Sequence, residues 1–230
     1  MPNKKHIAVI SGASFGIGEC IAKELASNGI TVCLGARSTD KLNEIVDDIH
    51  SSGGIAYPFF LDLLDDHSIK SFIKNVNKIG DVKTLINNSG FGKFDKIENA
   101  QISDWDEMMS VNLRGAFVLS KAFISDMKKN NSGNIIFINS VAGKHGYPFS
   151  AGYVASKFGL RGLAESLRNE LRQDNIKVTS IYPGAVDSLF WDNVNTDFPR
   201  NEMMNPKEIA KTVLFVIQKS GVGAVEDIVI

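Results

Sequence analysis

Cysteine is scarce in this chain of 230 residues, with Cys20 and Cys33 the only two. They make no Cys-x-x-Cys pattern, and His6, His50, His67 and His145 are scattered. A disulfide framework and a zinc site are therefore not indicated, and no metal is expected. Both cysteines read as small hydrophobes, Cys20 on the first helix and Cys33 within the second strand. Charge of one sign is lacking too, since 25 Lys and Arg face 26 Asp and Glu for a formal net charge of -1. No global field then points to nucleic acid or an anionic membrane as partner, and the pair Lys128-Lys129 reads as a solvated helix end. No long hydrophobic run is present near the start. Met-Pro-Asn-Lys-Lys-His passes into Ile7 to Ile10, too short for a signal peptide or a membrane span, so a cytoplasmic protein is expected. Without a low-complexity linker, a repeat or a charge block, residues 1–230 read as one domain.

What the sequence has is alternation. Short apolar or β-branched runs recur at Ile7 to Ile10, Ile30 to Leu34, Ala56 to Leu61, Thr84 to Asn87, Ile135 to Asn139, Val178 to Tyr182 and Val225 to Ile230. Helical spacing lies between them, as in Leu160, Leu163, Ala164, Leu167 and Leu171. Seven strands alternating with helices predict an α/β fold: a doubly wound, seven-stranded parallel sheet of Rossmann type with helices on both faces. Long helices are expected over Asp104 to Lys129 and Ala151 to Gln173, and another begins near Pro206. The longest irregular stretch, roughly Pro183 to Asn205, is long enough to be functional or mobile, and 188–205 is expected to act as a substrate lid.

The first strand runs into Ser11-Gly12-Ala13-Ser14-Phe15-Gly16-Ile17-Gly18 and a helical pattern follows. Glycines there permit a tight turn and close approach to a phosphate, and the helix N-terminus supplies free N–H groups. The spacing Gly-x-x-x-Gly-x-Gly differs from the common Gly-x-Gly-x-x-Gly fingerprint, so the strand and helix on either side carry the reading. After the second strand stands Arg37, where an NAD site wants an acid for the ribose 2′-hydroxyl; Arg suits a 2′-phosphate, and NADP(H) is the expected cofactor.

Downstream, Tyr153 and Lys157 are four residues apart in Tyr-Val-Ala-Ser-Lys, thirteen or more residues after Ser140. On a helix, i and i+4 share a face, so the Lys157 ammonium is expected beside the Tyr153 phenol, lowering its pKa. Phe91, Phe94, Tyr147-Pro148-Phe149 and Leu189-Phe190-Trp191 flank these positions and suit an apolar wall around a substrate carbonyl. His145 reads as a loop residue.

These residues together resemble the short-chain dehydrogenase/reductase family over essentially the whole chain. The glycine turn is similar to its cofactor motif, Asp62-Leu63 to the pair that contacts adenine, and Asn87-Asn88-Ser89-Gly90 to its Asn-Asn-Ala-Gly segment, with Ser89 for Ala. Pro183-Gly184 resembles the turn beside the nicotinamide, followed by Val186 and by Ser188 in place of the usual Thr. Asn112, Ser140, Tyr153 and Lys157 match the catalytic set. The resemblance implies hydride transfer between nicotinamide and a carbonyl carbon, with Tyr153 as general acid or base and Ser140 polarising the oxygen. It also implies that Lys157 holds the ribose, that Asn112 fixes a relay water, and that the chain is a homodimer or homotetramer. Gly143-x-x-Gly146-Tyr147-Pro148 and the ending Val225-Glu226-Asp227-Ile228-Val229-Ile230 look more like the NADP-dependent 3-hydroxy-acid and serine dehydrogenase branch. The runner-up is 3-oxoacyl-acyl-carrier-protein reduction. A non-catalytic NADP-binding regulator and a methyltransferase are other classes that the complete set of four residues disfavours. With the last strand at the end of the sequence, a tail closing the site is expected to be missing or trimmed.

Overall fold

In the computed structural model, residues 6–193, 199–219, 221 and 223–230 are described. Among the described residues, seven strands alternate with seven α-helices. The strands are β1 (His6–Ser11), β2 (Thr31–Ala36), β3 (Ala56–Phe60), β4 (Asp81–Asn87), β5 (Gly133–Ile138), β6 (Ile176–Tyr182) and β7 (Asp227–Val229). The helices are α1 (Gly16–Ser27), α2 (Thr39–Ser51), α3 (Asp66–Ile79), α4 (Ile102–Met109), α5 (Gly115–Lys129), α6 (Ala151–Leu171) and α7 (Pro206–Gln218). All seven strands are parallel, in the order β3-β2-β1-β4-β5-β6-β7.

Helices cover both faces, which is why the strands are apolar at successive positions. One face of β1 and β2 carries Ala8, Ile10, Val32 and Leu34, packed with Leu25 of α1, Leu42 of α2 and Val213 of α7. The opposite face carries Ile7, Val9 and Cys33, packed with Phe72 of α3, Phe123 of α5 and Leu160 of α6. The helix α7 starts where expected because Pro206 sits in its first turn and Asn205 forms a reciprocal capping box with Glu208.

Every expected strand is present, with shifted ends. The strand β4 begins at Asp81 rather than Thr84, because ladder pairing with β1 carries the backbone through the exposed Lys83 that interrupts the apolar run. One helix expectation is corrected. Asp104 to Lys129 is not one continuous α-helix, since a π-helical turn at Ser110–Arg114 separates α4 from α5. The π-turn contains Asn112, and such turns occur mostly at functional sites.

From β1 the chain moves outward to β2 and β3, then returns to β4 on the other side of β1. The carboxyl ends of β1 and β4 therefore flank the switch point of the sheet, where doubly wound folds open their ligand crevice.

Candidate active site

A cleft of about 1220 Å³ opens at that switch point. Its floor begins with the glycine turn after β1. Gly12 and Gly16 have φ of +66° and +56°, a region that side chains disfavour. A Cβ on Gly12 would sit 2.9 Å from the Ser89 Cα, and one on Gly18 would sit 2.2 Å from the Gly12 carbonyl oxygen. No side chain caps the start of α1, whose N-cap is Phe15, so its first N–H groups are left for a ligand. The turn is held from beneath. The Ser11 hydroxyl accepts from the Asn88 and Ser89 backbone N–H groups, each at 3.1 Å. The Asn88 amide donates to the Ser11 and Gly12 carbonyls at 3.0 and 2.9 Å. At the end of β2, Arg37 is exposed and lines the cleft, and its guanidinium has no hydrogen-bond or ion-pair partner among the described residues.

The other wall comes from β5 and α6. Ser140 follows β5 in extended backbone, and its Oγ caps the next turn by accepting from the Ala142 N–H at 3.1 Å. Asn139, buried, fixes this corner: its Oδ1 accepts from the Ser140 N–H at 2.9 Å and its Nδ2 donates to the Lys157 carbonyl at 3.2 Å. One turn apart on α6, Tyr153 and Lys157 share a face as their spacing requires, with the Lys157 Nζ 5.7 Å from the Tyr153 ring centroid. Lys157 is buried and donates to the Ile138 carbonyl at 3.1 Å.

The expected electrostatics of that pair need correction for the protein without ligand. Burial pushes the Tyr153 phenol up to about 12, partly offset by a hydrogen bond with Ser140, and pushes the Lys157 ammonium down to about 8. Dehydration is the largest cause for both groups, and the Lys157 ammonium is directed to the Ile138 carbonyl.

Asn112 is held by protein on both side-chain amide atoms. Its Oδ1 accepts from the Phe91 N–H at 3.0 Å, and its Nδ2 donates to the Phe91 carbonyl and to the Ser156 hydroxyl, both at 2.9 Å. Both amide hydrogens are therefore taken by protein, and the side chain clamps the Phe91 backbone.

Most of the positions expected from sequence meet in this one cleft: Gly12, Ser14 to Ile17, Arg37, Asp62, Leu63, Asn88 to Gly90, Ser140, Tyr153, Lys157, Pro183, Gly184, Val186 and Ser188. Gly18 and Asn112 do not line it; the first packs under the turn and the second lies behind Gly90. The flanking aromatics Phe91, Phe94, Tyr147, Phe149, Phe190 and Trp191 do line it. Sequence reading missed Ser11, Asn139 and Ser156, polar supports that each have a partner 18 or more residues away, which leaves no spacing signal.

The stretch expected to be a lid is fastened at its neck. Val186 bridges Met204, and Arg200 pairs with Asp187, Asp192 and the Ser188 carbonyl. The Trp191 indole donates to the Val186 carbonyl at 2.9 Å. Residues 194–198, with Phe198, lie outside the described residues.

A parallel doubly wound sheet with a glycine-turn cleft at its switch point defines a nucleotide-binding α/β protein. More narrowly, the chain belongs to the short chain dehydrogenase family, whose model matches residues 6–198, and it is an oxidoreductase of that family. It is 32% identical to the sepiapterin reductase of Chlorobaculum tepidum over 98% of this chain and 96% of that protein. It is 29% identical to a 3-oxoacyl-acyl-carrier-protein reductase of Thermotoga maritima over 91% of this chain and 89% of that one. Among solved structures, an alcohol dehydrogenase from the archaeon Thermococcus sibiricus, complexed with 5-hydroxy-NADP, matches with a TM-score of 0.90 at 32% identity, covering 98% and 95% of the two chains.

Proposed function

We propose that this chain is an NADP(H)-dependent oxidoreductase interconverting a carbonyl and a secondary alcohol at the cleft between the glycine turn and Tyr153. The observation that carries the reading is the placement of the unpaired Arg37 at one end of a single cleft and the Ser140, Tyr153 and Lys157 group at the other. A bound nicotinamide cofactor supplies or accepts the hydride. The glycine turn and the uncapped start of α1 suit its pyrophosphate, and Arg37 suits a 2′-phosphate. Solved relatives, including the Thermococcus sibiricus enzyme, carry NADP or a derivative in crystals.

Tyr153 gives or takes the proton on the substrate oxygen, and Ser140 orients and polarises that oxygen. Lys157, within the same buried corner, would hold the nicotinamide ribose, and its ammonium is the cation on the Tyr153 side of α6 that can favour the ionised phenol. Asn112 serves the relay indirectly. Its side chain holds Phe91 and the π-turn in place.

The substrate half of the cleft bears Lys93 and Glu107, one charge of each sign, and Arg200 is consumed by Asp187 and Asp192. Lys93 has no ion-pair partner among the described residues, and Glu107 balances its charge in the same wall, which favours a carbonyl compound without net charge. The reduction of 3-oxoacyl thioesters is the second reading, supported by similarity to the Thermotoga maritima reductase. Residues 1–230 act as one unit in this account, with the segment 188–205 as a lid. A second copy is the expected partner, seated where Met109, Leu113, Phe117 and Leu163 border an apolar recess of about 390 Å³; a monomeric mass by light scattering contradicts it. No helix among the described residues is long and apolar enough to cross a membrane.

The experiment is a spectrophotometric screen of carbonyl compounds with NADPH and with NADH. Turnover of at least one neutral ketone with NADPH preferred supports the reading; binding of neither cofactor rejects it.

A further inference from the structure

Among the described residues, three other than glycine have positive φ: Asn131, Asn175 and Phe149. Asparagine tolerates this region, and both asparagines follow helix ends; a bulky aromatic at +64° is an outlier that costs stability unless its surroundings impose it. The surroundings do impose it. The Phe149 carbonyl accepts from the Asp95 N–H at 2.8 Å, and the neighbouring Ser150 hydroxyl donates to the Tyr147 carbonyl at 2.6 Å. The result spends strain to keep a ring out of the core: Phe149 is 59% exposed and lines the cleft mouth beside Tyr147, itself 49% exposed.

Deeper in, the same wall continues in rings. Phe94 and Phe190 each pack on the Tyr153 ring with centroids 5.6 Å apart, and on each other at 5.9 Å. Phe94 precedes Asp95, whose N–H fixes Phe149, so the inner and outer rings hang on one stitched pair of loops. The path from solvent to the phenol is therefore walled by aromatic rings set at 50° to 78° to one another in its inner part, with balanced charge. A protein gains nothing from holding an exposed Phe in a strained backbone for packing, since it packs on little.

We infer that Phe149 is a specificity-determining residue, the outer face of an aromatic sleeve that selects carbonyl compounds whose carbonyl is attached to a planar, uncharged ring. This rests on the reading of the cleft as a carbonyl reductase and names its substrate class. Ring stacking rewards a planar substrate over a puckered one of equal size, so the selection is by shape and not by bulk.

The test uses dead-end complexes, in which the protein saturated with NADP⁺ binds a ketone without turnover. Acetophenone and cyclohexyl methyl ketone have the same number of carbons and differ in planarity. By calorimetry the parent protein binds acetophenone about fivefold to tenfold more tightly. In Phe149→Asn, and in Phe149→Gly as a second variant that accepts the same φ, that preference falls to within twofold while the Tm holds or rises. Equal affinity for the two ketones in the parent overturns the inference, as does a preference that survives in either variant. A Tm loss of more than about 5 °C in both variants, the size expected for a packing residue, also overturns it. If the parent shows the preference yet no ketone is ever reduced, the reductase reading fails while the sleeve stands.

Discussion

The two halves of the cleft are built by different means. In the cofactor half, position is fixed by backbone: positive-φ glycines, the ends of β1 and β4, and the Ser11 and Asn88 bonds that stitch them. In the substrate half it is fixed by side chains, with Phe94 and Phe190 tilted against Tyr153 and an Arg200 clamp holding the loop that carries Phe190. A backbone-built half has one solution for one ligand, whereas a side-chain wall changes its ligand by substitution without disturbing the sheet. Tyr153 and Ser140 sit at the seam.

The largest effect is expected at the seam. Tyr153→Phe removes the proton donor and little else, so turnover should fall about 100-fold to 10,000-fold with cofactor affinity nearly unchanged. A residual rate above a tenth of the parent, where chemistry limits it, would assign the acid elsewhere. Next, Arg37→Asp attacks the cofactor half by charge. Loss of charge-assisted bonds to a 2′-phosphate should lower the NADPH-over-NADH preference about tenfold to 100-fold, and an unchanged ratio of kcat/KM values would remove Arg37 from cofactor choice.

Gly18→Ala attacks the same half through backbone. With only 2.2 Å between the new Cβ and the Gly12 carbonyl oxygen, the turn has to shift. Overpacking of this kind costs about 1 to 3 kcal/mol, read as a lower unfolding midpoint together with weaker cofactor binding. Alanine substitutions of Phe94 should leave that midpoint much closer to the parent, which sharpens the contrast; equal losses would erase it.

A smaller effect reports on Lys157. Its pKa is pushed down to about 8, so above pH 8 the folded protein has released a proton that the unfolded chain holds to near 10.5. Between pH 8 and 9 the unfolded state binds more protons, and stability without cofactor rises with pH. The buried Cys33 thiol, pushed up to about 12, acts oppositely above pH 9 and bounds that window. Lys157→Met should flatten the rise in denaturant midpoint; an identical slope in parent and variant would refute it. Smallest is the lid. Hydrogen exchange over 199–205 and 188–193 should slow when cofactor and substrate are both bound, and equal protection with and without them would reassign Leu189 to Trp191 to permanent packing.

The sheet and the cofactor half were largely legible in the sequence because they rest on local signals. Strand runs, glycine spacing, Pro206 before a capping Glu208 and the i, i+4 pair each encode geometry within a few residues. What escaped is non-local. The π-turn at Ser110–Arg114 answers to the contacts of Asn112 with Phe91 and Ser156, 21 and 44 residues away in the chain. The raised Tyr153 phenol follows from burial under rings of two separate loops, and Phe149's strained backbone from a bond to Asp95. Periodicity carries none of these.

Isotope transfer tests the central claim most directly. NADPH carrying deuterium at both hydrogens of nicotinamide C4 is incubated with the protein and a panel of aryl and alkyl ketones, and each alcohol formed is analysed by mass spectrometry. The account predicts one deuterium on the carbinol carbon of at least one product, at a rate that Tyr153→Phe reduces at least 100-fold. Cofactor that binds yet delivers no label to any ketone, or label transferred equally fast by the variant, would contradict it.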